Sequence, residues 1–170
     1  MFNPLNDRGG NFCTTSGLLT ATGAETVYDT TVTINYILDG KIDTKTAVTD
    51  GATPTTDYNT GVAFPALVGG ASVANTPGKG CVVVWGLIAG DTVKCVMGDH
   101  QSLDMQGNFR VAPEFPPIPA GFTPFAYQVL KAGATASATA IVFGTANWNA
   151  TGFTNAIVNV AYLPLRPQVA

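Results

Sequence analysis

From Thr31 to Val48 the chain alternates residue by residue, and this pattern constrains the fold more than any other feature. Val32, Ile34, Tyr36 and Leu38 share one face, with Thr31, Thr33 and Asn35 on the other. Asp39-Gly40 follows, and then Ile42, Thr44, Thr46 and Val48. A period of two is that of a half-buried strand. Asp-Gly between two such runs calls for a type I′ turn, whose central residues both take positive φ. A β-hairpin is therefore expected here.

The rest of the chain repeats the theme of short strands between turn signals. Residues 49–61 read as a polar loop, and 62–68 as a short strand that Pro65 confines to an edge or a bulge. Residues 81–88, CVVVWGLI, form an uninterrupted apolar strand, which implies cover on both faces. A turn at Ala89-Gly90 leads into DTVKCVM, with Ile88 opposite Asp91 and Val84 opposite Cys95. In that register Cys81 and Cys95 face opposite ways; one step further they share a face but stay four residues apart. Neither arrangement allows a disulfide. Free thiols, in a protein made in a reducing cytosol, are the expectation for Cys13, Cys81 and Cys95.

Residues 99–112 suggest a second hairpin around Gln106-Gly107, and three further strands are expected at 125–131, 138–143 and 154–163. Between them, residues 113–124 carry five prolines, which make a stiff, extended connection. Phe115, Ile118, Phe122 and Phe125 would anchor it to a surface. No segment shows convincing helical spacing with caps. The expected fold is all-β: an antiparallel β-sandwich, or a jelly-roll-like or barrel domain, over residues 25–170. Residues 1–24 read as an extended N-terminal arm outside the strand pattern. Its apolar residues Phe2, Leu5, Phe12, Leu18 and Leu19 fit an arm that orders against the domain or a neighbouring subunit; the alternative reading is a floppy terminus.

Composition narrows the function classes. Only 11% of the 170 residues are charged, against roughly 25% in an ordinary soluble domain. Eight basic residues and an isoelectric point near 4.8 argue against a nucleic-acid groove. The longest apolar run, residues 81–89, is far short of the roughly 20 residues that cross a bilayer, and no signal-peptide core opens the chain. Neither nucleic acid nor membrane is therefore an expected partner.

A search for chemistry yields little. His100, Ser102 and Asp104 alternate onto one strand face, but groups about 7 Å apart along a strand do not converge as a triad must. Gly78-Lys79-Gly80 lacks the upstream Gly and the following Ser or Thr of a phosphate loop. Asp57-Tyr58-Asn59-Thr60-Gly61 resembles part of a calcium loop, yet two oxygen ligands fall short of the six to eight this ion takes, and the same residues are ordinary turn chemistry. One His and three dispersed Cys do not make a zinc site. No pair among Asp39, Asp43, Asp50 and Glu114 stands out as catalytic, and Asn149-Ala150-Thr151 reads as a turn. No enzyme activity, metal or cofactor is expected. Of the aromatic residues, Trp85 is assigned to the core, while Trp148 is the better candidate for an interface or a ligand.

Five segments carry a resemblance: TVTINYILDGKIDTKTA, GATPTTDYNTGVAFPAL, KGCVVVWGL, APEFPPIPAGFTPFAYQVLKAG and IVFGTANWNATGF. Together, over most of residues 26–167, they resemble small virion proteins of tailed bacteriophages, and among these the proteins that decorate or cement the capsid. The resemblance is one of composition and segment style. It implies an all-β module, often a homotrimer, that sits on the capsid exterior across joints between subunits. The implied partners are the major capsid protein and copies of the chain itself, with assembly in the cytoplasm of a host bacterium. No catalytic residue is carried over. Phe2, Leu5, Phe12, Leu18, Leu19, Phe115, Ile118, Phe122 and Trp148 are the expected interface residues. The alternative expectation is a phage tail, spike or head-fibre domain that binds a host glycan through Trp148 and the loops around Tyr58 and Asn149.

Overall fold

The computed structural model describes residues 10–15, 18–20, 26–69, 78–132, 141–145 and 153–168. In chain order the strands are β1 (Phe12–Cys13), β2 (Leu19–Thr20), β3 (Val27–Thr30), β4 (Ile34–Leu38), β5 (Lys41–Lys45) and β6 (Val48–Ala52). They continue as β7 (Lys79–Ile88), β8 (Thr92–Met97), β9 (Gln101–Ser102), β10 (Thr123–Ala132) and β11 (Phe153–Asn159). The described residues are all-β, in three antiparallel sheets that do not close into a barrel, consistent with a sandwich.

The central sheet runs β11-β10-β7-β8, with β9 beside the start of β7. Strand β7 pairs with β10 from Thr123↔Leu87 to Lys131↔Gly80, with a register shift between Pro124 and Ala126. Every residue from Gly80 to Leu87 is buried, as an uninterrupted apolar strand requires. Cys81, Val83, Trp85 and Leu87 belong to one core, and Val82 and Val84 to a second on the opposite face.

The layer over the first face is simpler than its two small sheets suggest. The β4–β5 register runs from Leu38↔Lys41 to Ile34↔Lys45, and β3–β6 resumes it as Thr30↔Val48 and Val27↔Ala52. Strands β3–β4 and β5–β6 are therefore two arms of one long hairpin, interrupted at residues 31–33 and 46–47. The N-terminal stretch lies along it in one register, with Phe12↔Ile37 and Cys13↔Tyr36 at one end and Leu19↔Thr30 and Thr20↔Asp29 at the other. The expected turn is present, with φ of 50° at Asp39 and 79° at Gly40. Ile34 and Tyr36 are buried on the expected face, and Leu38 packs beside them. Val32 is not: it falls in the interruption and is 38% exposed.

This ribbon is tied to the central sheet by polar contacts as well as by packing. The Tyr36 hydroxyl donates to Asp91 Oδ1 at 2.6 Å, and Thr123 Oγ1 donates to the Ile37 carbonyl at 3.0 Å. Tyr28 lies against Trp85 with ring centroids 5.2 Å apart. The indole N–H of Trp85 donates to Gln128 Oε1 at 3.2 Å, and Gln128 Nε2 donates to Asn155 Oδ1 at 3.1 Å. Gln128 is fully buried, and these bonds offset the cost of its desolvation.

The second face is covered by the proline-rich connection and the C-terminal segment. Phe115 meets Tyr127 edge-on with centroids 5.1 Å apart, Leu163 is buried, and the Gln168 N–H donates to the Tyr127 hydroxyl at 2.9 Å. Phe122 stacks on Tyr58 and its ring occupies the space that a Cβ at Gly86 would take.

Several expectations need correction. The β7–β8 turn takes an extra residue, with Ile88 opposite Thr92 and Trp85 opposite Cys95, because Gly90 and Asp91 both adopt positive φ. Cys81 and Cys95 thus share a face, yet all three cysteines are free. Residues 62–68 form no strand: Ala63 and Leu67 make isolated bridges to Thr56 and Ile141 around Pro65. The expected hairpin around Gln106-Gly107 is present but short: Leu103 bridges Phe109, the Asp104 N–H donates to the Asn108 carbonyl at 2.7 Å and the Arg110 N–H to the Ser102 carbonyl at 3.3 Å, while β9 also pairs with β7. Of the strand expected at 138–143, only 141–143 are described, and Ile141 makes the bridge to Leu67. Part of the expected arm is in the strand pattern after all, as β1 and β2, because it completes the edge of the hairpin.

A methyl group at position 86 would lie 2.2 Å from the Phe122 ring. Gly86→Ala is expected to destabilise the chain by about 1–3 kcal/mol through overpacking. Adding Phe122→Leu should recover part of that loss, read as a coupling between the two sites in urea unfolding.

Candidate interaction surface

The local chemistry of the residues singled out by sequence is turn-making and packing. The Asp57 carboxylate is buried and accepts from the N–H groups of Asn59 (2.8 Å), Thr60 (3.0 Å) and Met97 (2.7 Å). Tyr58 N–H donates to the Cys95 carbonyl at 2.9 Å, so this loop caps the outer edge of β8. The ordinary turn reading of Asp57–Gly61 accounts for these contacts. Ser102 Oγ accepts from Lys79 Nζ at 2.8 Å, and Asp104 accepts from the N–H groups of Gln106 and Asn108. Those bonds, that from Asn108 first, hold the Asp104 carboxyl below its usual range. Burial, with Lys79 nearby, pushes the His100 imidazole down and favours its neutral form. Ser102 and Asp104 thus serve separate local contacts, and neither bonds the His100 ring, whose Nε2 is buried without a hydrogen-bond partner. Trp85 is core, in contact with Tyr28 and Phe143. Among the described residues no group of His, Cys, Asp and Glu is placed to hold a metal ion. None of their helices is long and apolar enough to cross a membrane.

The expected interface residues divide. Phe115 and Ile118 are half-buried on the outer cover of the central sheet. Leu18 is exposed beside β2 with φ of 45°, and Phe12 is half-buried in β1. Leu19 and Phe122 are buried in the chain's own cores, which removes them as docking residues. Phe2, Leu5 and Trp148 lie outside the described residues. Tyr58, a candidate glycan platform, has its ring stacked on Phe122.

The cover carries two adjoining clefts. One, of about 320 Å³, lies between Asn11, the Asp39 turn, Ile118, Phe122 and Tyr162. The other, of about 550 Å³, is lined by Phe115, Pro116, Ile118, Leu165, Glu114 and Arg166. Ile118 borders both, and Tyr162 and Leu165 stand out at 62% and 93% exposure. Glu114 and Arg166 are the only charges within residues 111–125 and 160–168. Sequence reasoning found Phe115 and Ile118 but missed Tyr162 and Leu165, because LPLRPQVA reads only as the end of a strand. The signal was there: prolines at 164 and 167 flank Leu165 and Arg166, which lie exposed in a bend.

The fold and this surface define an all-β sandwich with a proline-stiffened apolar cover. Comparisons with protein-family models, with curated proteins and with solved structures each find no match.

Burial pushes the Cys13 and Cys81 thiols up to about 12 and raises Cys95 well above its ordinary value. The folded chain therefore keeps thiol protons that the unfolded chain releases above about pH 9. This contribution to stability is full below that pH and is lost as pH rises towards 12. At pH 8, labelling by a thiol reagent is expected to follow global unfolding, with no fast phase before it.

Proposed function

We propose that this chain is a non-enzymatic structural protein of a tailed-phage virion that attaches to the capsid exterior as a decoration or cement protein. In this reading it binds the major capsid protein, and copies of itself as a trimer, and stabilises joints between capsid subunits by adding contact area. The observation that carries the proposal is the apolar cover around Ile118, Tyr162 and Leu165, bordered by three charged residues, Asp39, Glu114 and Arg166. Few charges mean a low desolvation cost when the surface is buried. The prolines stiffen it before contact, so little ordering entropy is lost on binding. The segment resemblance to decoration proteins supplies the kind of partner.

Purified protein is expected to form a stable trimer and to add to expanded phage capsids at a fixed stoichiometry. Ile118→Asp combined with Leu165→Asp should lower capsid occupancy at least tenfold, since each buried apolar anchor contributes about 1.5–3 kcal/mol. Leu165→Asp alone should leave the unfolding midpoint nearly unchanged, because Leu165 is exposed, and should itself weaken attachment; Ile118 packs against the second core, so the double variant is also expected to lose stability. Failure of the parent protein to attach to any expanded capsid of its own phage would overturn the proposal.

A further inference from the structure

Strand β5 is the outermost strand of its sheet and is regular along its length. Among the described residues the other margins are covered, irregular, or, like the regular edge of β11, without charged side chains to fix a register. The Asp57 loop caps β8, and Asn159 at the end of β11 is bonded to both backbone groups of Leu19. Strand β6 is distorted by a register shift and by Asp50 at φ 52°. A regular, uncovered edge is a template for another strand.

Backbone directions along β5 follow from the turn. Leu38 and Lys41 flank a two-residue loop and exchange hydrogen bonds, and the pattern then alternates. The Asn35 carbonyl indeed faces β1, where it accepts from the Thr14 N–H at 2.8 Å. Its partner across the hairpin, Thr44, therefore turns its backbone groups outward, as does Ile42. The Thr44 N–H is met only by its own neighbour's side chain, Asp43 Oδ1, at 2.9 Å.

The side chains of this edge are self-complementary. Ile42 is 75% exposed on the outer face of the sheet, at the end of a row that crosses three strands as Phe12, Ile37 and Ile42. Lys41 and Asp43 lie on the opposite face, 3.6 Å apart. We propose that β5 pairs with β5 of a second copy, antiparallel about a two-fold axis at Ile42. This sets the outward backbone groups of Ile42 against those of the partner's Ile42. It places Lys41 opposite the partner's Asp43, with the reciprocal pair beside it, and Lys45 opposite the partner's Asp39. The apolar row then runs unbroken through both copies. Backbone alternation also permits an axis at Thr44, which sets Asp43 against the partner's Lys45 but leaves Lys41 opposite the partner's Ala47 and Ile42 opposite the partner's Thr46, so the apolar row is broken; that register would make Thr44→Cys the faster cross-linker. The nearer steps move the axis to Lys41 or Asp43. Those set Lys41 against Lys41, or Asp43 against Asp43 and Lys41 against Lys45, and like charges directly opposite are unfavourable. The contact is two-fold and closes on itself: it makes a dimer of a monomeric chain and joins two copies of the proposed trimer in pairs, so the charge swaps are read as the loss of this further step, whatever becomes of the capsid reading.

The test uses the full purified chain without capsids. Paired residues of this type have Cα atoms about 5.5 Å apart, within disulfide range. The three native cysteines are buried and do not compete. Under mild oxidation Ile42→Cys is expected to form covalent dimers at least tenfold faster than Thr44→Cys, whose thiol would face Gly40 of the second copy. In sedimentation, Lys41→Glu and Asp43→Lys should each weaken self-association about tenfold, and the double swap should restore it. Circular dichroism confirms folding at these surface positions. Equal cross-linking of the two cysteine variants would overturn the proposal. So would a double swap no tighter than the single variants, or stronger association of Lys41→Glu, the result expected for an axis at Asp43.

Discussion

The structure depends on the pairing of β7 with β10. Both strands are buried on both faces, so neither has a solvent side on which to place polar groups. Their backbone groups are satisfied along the ladder, and the other described segments provide cover. The long hairpin covers one face, and the proline-rich connection with the C-terminal segment covers the other. The one large polar side chain between the strands, Gln128, is held by Trp85 and Asn155. It links the central pair to β11 and penalises a slipped register, because a shifted Gln128 would leave its amide unpaired.

What was legible in the sequence was whatever depends on neighbours close along the chain. The hairpin at Asp39-Gly40, the doubly covered strand at 81–88 and the role of the prolines follow from local periodicity and turn chemistry. What was not legible depends on partners far away. Nothing near Ala63 or Leu67 says that they make only single bridges, and nothing near Gln101 says that it pairs with Gly80. The β7–β8 register failed because Asp91, a residue without glycine's freedom, takes positive φ. Phe122 and Leu19 looked like loose anchors because the pockets they fill are built by other segments. Of the candidate surface, Phe115 and Ile118 were visible as apolar residues among prolines. Tyr162 and Leu165 were hidden in a stretch that resembles a simple chain ending.

Low charge has a consistent structural counterpart. The polar groups of this chain are spent on its own turns and edges: Asp57 on β8, Asp104 on its loop, Asn159 on β2 and Asp91 on Tyr36. The outer cover is left apolar, and the surface charges concentrate elsewhere, notably along β5. Apolar area and charge pattern are thus separated onto different faces, which allows each face to choose partners by different physics.

The separation along the chain of β7 from β10 also has a kinetic meaning. The hairpin of β3–β6 closes through a two-residue turn, whereas β7 can meet β10 only after residues 89–122 have been looped out. Loop-closure entropy delays the second event relative to the first. The early hairpin carries Ile34 and Tyr36 on a face whose cover has not yet arrived. During synthesis, the interval before β10 leaves the ribosome is when this chain is most exposed to aggregation.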